Sequence, residues 1–320
     1  MNKLFLLIIS VIYLLPCSVL PQNRDDSPDQ LIIFHAGSLT IPFERIIDGF
    51  ETENPGIQVI KEIAGSRSCA RKITELNKQC DIMASADYTV IDNLLIPNHA
   101  DWNIKFASNE MALVYIGKSR RAEEINEKNW FDILLDENIN FGRSDPNSDP
   151  CGYRTVLTIK LSEIYYENRG LTEKLINKNT EYIRPKETDL IALLESGELD
   201  YIFIYRSVAE QHGLKYLVLP DEINLKNPEL NDYYSQVSVE ISGKRPGEKI
   251  VHRGKCMVYG FTIPKDAPNP ELAEKFVHYL LNEEKGLRIL NELGQPTIVP
   301  SYSETYNNIP VQLKRYATQK

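Results

Sequence analysis

Two short clusters in this chain set glycine and serine where an apolar run gives way to a helical pattern: Ala36-Gly37-Ser38 and Ala64-Gly65-Ser66. Glycine lets the main chain come close to a bound group, and a helix N-terminus presents N–H groups that have no intrahelical acceptor. With a serine hydroxyl as a further donor, each junction is suited to seat an oxyanion. The competing explanation is that Ser38 or Thr40 only caps its own helix. Repetition favours the anion seat, because two successive junctions can aim two helix N-termini at one crevice.

The flanking patterns supply the elements that must position those serines. Leu31, Ile32, Ile33 and Phe34 read as a buried strand, and Phe43, Ile46, Ile47 and Phe50 recur at helical spacing. Residues 57–63 form a second strand, followed by a helix through Ile73 and Leu76. Residues 80–87 form a third strand, followed by a helix over 88–95. Three alternations predict a parallel sheet with right-handed crossovers. Pro97 and a polar stretch end this lobe, and residues 102–115 read as extended segments crossing to a second one. There a helix is expected over 123–135 and a strand over 139–142. The loop 144–152, rich in proline and glycine, delivers another helix N-terminus at 153–166. A similar junction at 184–189 precedes a helix over 190–196, and the strand YIFIY (201–205) runs into Arg206-Ser207-Val208-Ala209. Strands within 237–263 return the chain, and 270–293 reads as one long amphipathic helical region. Two crossings make a hinge and a cleft.

A length of 320 residues suits two lobes. The net charge of −9 argues against a nucleic-acid partner and offers an anion no long-range attraction, so selectivity must come from local donors. Residues 1–21 read as a secretory signal, which places the protein outside the cytoplasm. Cys17 follows Leu14-Leu15-Pro16, close to a lipoprotein processing box; lipid attachment there and removal with the signal both remain open. Residues 22–30 are polar, as a tether would be. Of the other cysteines, Cys80 and Cys256 sit in strand-like runs and read as core thiols, whereas Cys69 and Cys151 lie near the candidate junctions. Walker, dinucleotide-fingerprint, nucleophile-elbow and zinc-helix motifs are all missing from the sequence.

The ordered motifs HAGSLTIPF, EIAGSRSCARKITEL, ASADYTVIDNLLIP, SDPNSDPCGYRT, RPKETDL and YIFIYRSVAEQHGLKY together resemble the molybdate/tungstate-binding proteins of ABC importers, over about residues 31–300. The resemblance implies an α/β periplasmic-binding-protein fold of type II: two lobes, each a mainly parallel sheet flanked by helices, with the ligand in the inter-lobe cleft. Lobe 1 is then expected over 31–113 and 256–320, and lobe 2 over 114–255. A non-catalytic, monomeric receptor is implied, needing no cofactor and passing its oxyanion to a membrane permease with its ATPase. Ser38 and Ser66 match the family's serine donors, and Tyr205 its ligand-reaching tyrosine. Asp149 in DPCGYR and Glu187 in RPKETDL match carboxylates that bond directly to molybdenum or tungsten and make it six-coordinate. Asp145 and Asp189 are the neighbouring competitors for those roles. The segment 177–183 is shorter than in many relatives.

Two carboxylates set against a dianion would repel it unless they bond to its central atom. Mo(VI) and W(VI) are large, hard centres that accept further oxygen ligands, whereas sulfur in sulfate and phosphorus in phosphate do not. Such a pair would therefore reject sulfate and phosphate while binding molybdate or tungstate. The competing reading makes Asp149 and Glu187 helix caps or first-turn acids. A receptor for sulfate or another tetrahedral oxyanion, and a metal-dependent hydrolase, are the alternative functions. The hydrolase would have to work with five scattered histidines. His35 is either a donor beside the first junction or a packed ring. Arg67, Arg71 and Arg154 flank the motifs, where pairing with carboxylates is the commoner fate. A Cys69–Cys151 disulfide is conceivable, and it would span the cleft.

Overall fold

The computed structural model describes residues 29–319; the signal and Cys17 lie outside the described residues. The first five-stranded sheet has the order β2-β1-β3-β12-β4, from β1 (Asp29–Ala36), β2 (Ile57–Ala64), β3 (Ile82–Ser85), β4 (Ile104–Ser108) and β12 (Val258–Thr262). The second has the order β7-β6-β8-β5-β9, from β5 (Met111–Tyr115), β6 (Phe141–Ser144), β7 (Ile183–Arg184), β8 (Tyr201–Tyr205) and β9 (Lys215–Val218). Both sheets are mixed, and in the same way. In the first, β1 is parallel to β2 and β3 while β12 is antiparallel to both its neighbours. In the second, β6 is parallel to β7 and β8 while β5 is antiparallel to both of its own. The reversed strands are those at the crossings: β5 follows directly from the first sheet, and β12 returns to it after the separate hairpin at 238–253.

Local chemistry explains the elements. Helix α1 (Thr40–Glu53) buries Phe43, Ile46, Ile47 and Phe50 on one face, as their spacing requires. Phe43 and Phe50 pack tilted and edge-on against Phe276 of the helix Pro270–Leu280, which fastens the C-terminal part of the chain to the first sheet. Helices α2 (Ser66–Thr74) and α3 (Tyr88–Val90, continuing as a π-turn through Leu95) complete that lobe. Around the second sheet lie α4 (Trp130–Leu135), α5 (Pro150–Tyr165), α6 (Leu171–Asn177), α7 (Asp189–Ser196) and α8 (Arg206–Gln211). A hairpin of β10 (Ser238–Ser242) and β11 (Lys249–Arg253) stands apart from both sheets.

Several elements differ from expectation. The extended stretch 102–115 is two strands in different sheets, and the chain crosses at Asn109-Glu110. Residues 111–113 pair with β8 and so share the second sheet. The helix expected over 123–135 begins only at Trp130, because Asn126 and Asn129 hold a turn through side-chain bonds to the Lys128 and Asn126 N–H groups. The strand expected over 139–142 lies at Phe141–Ser144. The helical region 270–293 is two helices, Pro270–Leu280 and Gly286–Glu292, separated by a turn in which the Glu284 N–H donates to Asn282 Oδ1 at 2.9 Å. Among the described residues, Cys69, Cys80, Cys151 and Cys256 are free thiols. Cys69 Sγ faces the His35 carbonyl at 3.7 Å and Cys151 Sγ the Phe203 carbonyl at 3.6 Å, so each thiol is buried in its own lobe and no cross-cleft bridge forms. Cys256 is half-buried and lies just ahead of β12 rather than within a strand.

Candidate functional site

Six strand ends converge on the boundary between the sheets. Ala36, Ala64 and Ser85 end β1, β2 and β3; Ser144, Arg184 and Tyr205 end β6, β7 and β8. This is where open α/β sheets bind ligands, because the following helices begin there. Ser38 lies in a tight turn (Gly37–Leu39) before α1, and Ser66 is the first residue of α2; both are buried. Neither acts as a side-chain cap, and Thr40 instead donates to the Gly37 carbonyl at 2.6 Å. The serine hydroxyls are engaged from behind. Ser38 Oγ accepts from the Tyr259 hydroxyl at 3.0 Å, and Ser66 Oγ accepts from the Ala86 N–H at 3.0 Å. Tyr205, also buried, accepts from Arg154 Nη1 at 3.1 Å.

The second lobe places a carboxylate against each junction. A Cβ added at Gly37 would lie 3.0 Å from both carboxylate oxygens of Glu187, and one at Gly65 would lie 3.0 Å from Asp149 Cβ and collide with the Ser148 carbonyl. Only glycine leaves room for this approach at position 65, and at position 37 a side chain would press the Glu187 carboxylate away. Asp149 does cap α5, accepting from the Cys151 N–H at 3.1 Å, and its other oxygen accepts from the Glu187 N–H at 2.9 Å. The capping alternative thus holds for Asp149 in part, while Glu187 caps nothing. Both Glu187 oxygens are buried without a hydrogen-bond partner among the described residues. Burial, and then the neighbouring Asp149, push the Glu187 carboxyl well above the usual carboxylate range; burial also raises Asp149. Two buried carboxyls this close resist ionising together.

A second acidic cluster joins the lobes beside the first. Asp87, at the start of α3, accepts from the Tyr153 hydroxyl at 2.6 Å, pairs with Arg154 Nη2 at 3.4 Å and caps the Thr89 N–H at 2.9 Å. Burial alone would raise its carboxyl, but Arg154, with His252 and Lys255 behind it, holds it well below the usual range. Arg154 also donates to the Ala86 carbonyl at 2.8 Å, so one guanidinium bridges the lobes at two points, Asp87 and Ala86, while holding Tyr205 within its own lobe. Arg67 and Arg71 reach across too. Both donate to the Asn147 carbonyl, and Arg67 to the Ser242 carbonyl at the tip of the β10–β11 hairpin.

All five site residues expected from the sequence are buried, and Glu187 and Asp149, joined through the Glu187 N–H, lie against the Gly37 and Gly65 junctions that carry Ser38 and Ser66, while Tyr205 is held by Arg154. The competitors are elsewhere. Asp145 holds its own loop through the Asn147 N–H and the Ser148 hydroxyl, and Asp189 is exposed and pairs with Lys186. His35 packs on Phe43 with Nδ1 against the Ala36 carbonyl, and burial lowers it to about 4, so it is a neutral packed ring. Sequence reasoning missed Asn109, Tyr259 and Asp87. The available signals were a polar Asn109-Glu110 pair between two apolar strands, and one hydroxyl in the apolar run 256–261.

Comparison with known proteins gives a consistent result. The family model described as bacterial extracellular solute-binding protein matches residues 31–294. An uncharacterised solute-binding protein of Petrotoga mobilis is 47% identical over 91% of each chain. The molybdate/tungstate-binding protein WtpA of Thermococcus kodakarensis is 42% identical, covering 91% of this chain and 88% of its own. Among solved structures, the periplasmic molybdate-binding protein of Azotobacter vinelandii superposes with a TM-score of 0.60 at 18% identity, over 83% of this chain and 98% of that one.

Proposed function

The chain belongs to the bacterial extracellular solute-binding protein family, and from that premise we propose that it is a non-catalytic receptor that captures tungstate or molybdate between its lobes. In this reading lobe 1 comprises residues 31–108 and 256–320, and lobe 2 the residues between. Ser38, Ser66 and Tyr205 donate to the oxyanion's oxygens. Asp149 and Glu187 bond to the metal from the opposite wall. The closed, monomeric receptor then docks on an ABC permease with its ATPase, and a lipid on Cys17 would hold it at the outer membrane face.

The observation that carries the reading is Glu187. A buried carboxylate with no donor to either oxygen is costly, so an ionised Glu187 calls for a partner from outside the chain's own donors. An ordinary anion would make the cost worse. A metal centre able to accept carboxylate oxygens relieves it, and the donors opposite take the charge of the oxyanion's own oxygens. Relatives named for molybdate and tungstate support the same choice.

Calorimetric titration of ligand-stripped protein with tungstate, molybdate, sulfate and phosphate tests this. Tight binding of the first two alone is the expected result. Preference for sulfate or phosphate would refute direct bonding to the metal while leaving an oxyanion receptor, and failure to bind any of the four would reopen the hydrolase alternative.

A further inference from the structure

We propose that Asn109 and Tyr259 are a positioning pair that sets the direction of the Ser38 hydroxyl proton and so keeps Ser38 a donor toward the cleft. The inference rests on the oxyanion reading above and concerns how one of its donors is prepared.

The Asn109 amide is buried where the chain crosses between β4 and β5. Its Oδ1 accepts from two main-chain N–H groups, Glu110 at 2.9 Å and Ser207 at 3.4 Å. Main-chain N–H groups only donate, so the orientation of the amide is fixed. Its Nδ2 must then face the Ser207 hydroxyl at 2.7 Å and the Tyr259 hydroxyl at 3.0 Å. An amide nitrogen cannot accept a proton. Tyr259, fully buried, has to send its own proton to the other neighbour, Ser38 Oγ at 3.0 Å. With that acceptor face occupied, the proton of Ser38 is left to point away from Tyr259.

The same logic recurs at the other two hydroxyls. Ser66 accepts from the Ala86 N–H and Tyr205 from the Arg154 guanidinium, both groups that only donate. Ser38 differs because its backing group is another hydroxyl, which could run in either direction. Asn109 removes that freedom. It sits where the chain crosses between sheets and touches Ser207 of α8 on one side and Tyr259 of β12 on the other, so the setting is tied to the hinge.

Tungstate titrations of wild type, Tyr259→Phe, Ser38→Ala and the double variant, with thermal midpoints of each ligand-free protein, test the pair. Tyr259→Phe is expected to weaken binding about tenfold, the scale of one hydrogen bond to a charged group. In the Ser38→Ala background the same change should alter affinity by less than about twofold, a dependence that general loss of packing would not produce. Asn109→Asp keeps the shape and both N–H contacts but accepts the Tyr259 proton. Ser38 would then donate to Tyr259 instead of the ligand, and the variant should bind as weakly as Ser38→Ala. Wild-type affinity in Tyr259→Phe, or an equal loss with and without the Ser38 hydroxyl, would overturn the proposal. If Tyr259→Phe fails to fold, Asn109→Asp decides: wild-type affinity there overturns it. A wild-type protein that binds no tungstate would instead refute the oxyanion reading itself.

Discussion

Two buried acidic clusters bridge the lobes, and they are built on opposite terms. Around Asp87 the chain supplies everything the carboxylate needs: a guanidinium, a tyrosine hydroxyl and a main-chain N–H. Around Glu187 and Asp149 it supplies N–H groups to Asp149 and no donor to Glu187. The first cluster is held well below the usual carboxylate range and the second is pushed above it. The difference separates structure from function. A compensated buried acid fastens two surfaces together, whereas an uncompensated one is a cost that a proton or a partner outside the chain must remove.

The largest effect is expected where Asp87 is left as unpartnered as Glu187. Arg154→Met strips the Asp87 carboxylate of its cation, and a buried charge left alone costs about 3–5 kcal/mol. Opening the lobes would hydrate Asp87, so the ligand-free variant should populate an open form, measured as a larger radius of gyration by small-angle X-ray scattering. Adding Asp87→Asn removes the charge and should restore part of the closure. An unchanged radius in Arg154→Met would show that this cluster does not hold the lobes.

The next effect sharpens the other side. Glu187→Ala removes one bond to the metal and should weaken tungstate and molybdate binding by about 100-fold, while sulfate, no longer repelled, gains relative to both. Asp145→Ala, in the same loop as Asp149 but facing its own turn, should change affinity far less. Equal losses from Asp145 and Glu187 in parallel titrations would mean that loop and lobe geometry, not the carboxylate, controls binding.

The two clusters also differ in how far they could be read from the chain. Gly37-Ser38 and Gly65-Ser66 announce themselves, because strand, small-residue turn and helix lie within a few consecutive residues. The repeated strand order was half legible: alternation gives the parallel strands, but nothing local says that β5 and β12 run reversed. Asp149 and Glu187 are unremarkable acids in loops, and only the resemblance picked them out. Asp87 and Arg154 lie 67 positions apart in sequence, and their pairing exists only once the lobes meet. Tyr259 is hidden for a simpler reason, since a tyrosine in an apolar strand reads as core. Long-range polar pairs carry no periodicity, and periodicity is what a single sequence displays best.

The smallest expected effect is the most direct measure of the contrast. A carboxyl raised in the closed form favours closure while it is protonated, and that contribution is lost as pH rises through its shifted value. A carboxyl held low does the reverse: Asp87 favours closure above the ordinary carboxylate range and ceases to as pH falls through it. The ligand-free protein should therefore close best at intermediate pH and open on both sides. Glu187→Gln keeps the shape without the charge. At alkaline pH, where wild-type Glu187 is driven to ionise, it should favour the closed ligand-free form over wild type. The two proteins should converge in acid, where wild-type Glu187 is already protonated, and both should still open at the acid end through Asp87. Scattering profiles across pH would show this as loss of the alkaline limb alone. If Glu187→Gln follows the wild-type curve at every pH, the carboxylate is not the uncompensated charge the cleft is built around, and the metal-bonding reading loses its physical basis.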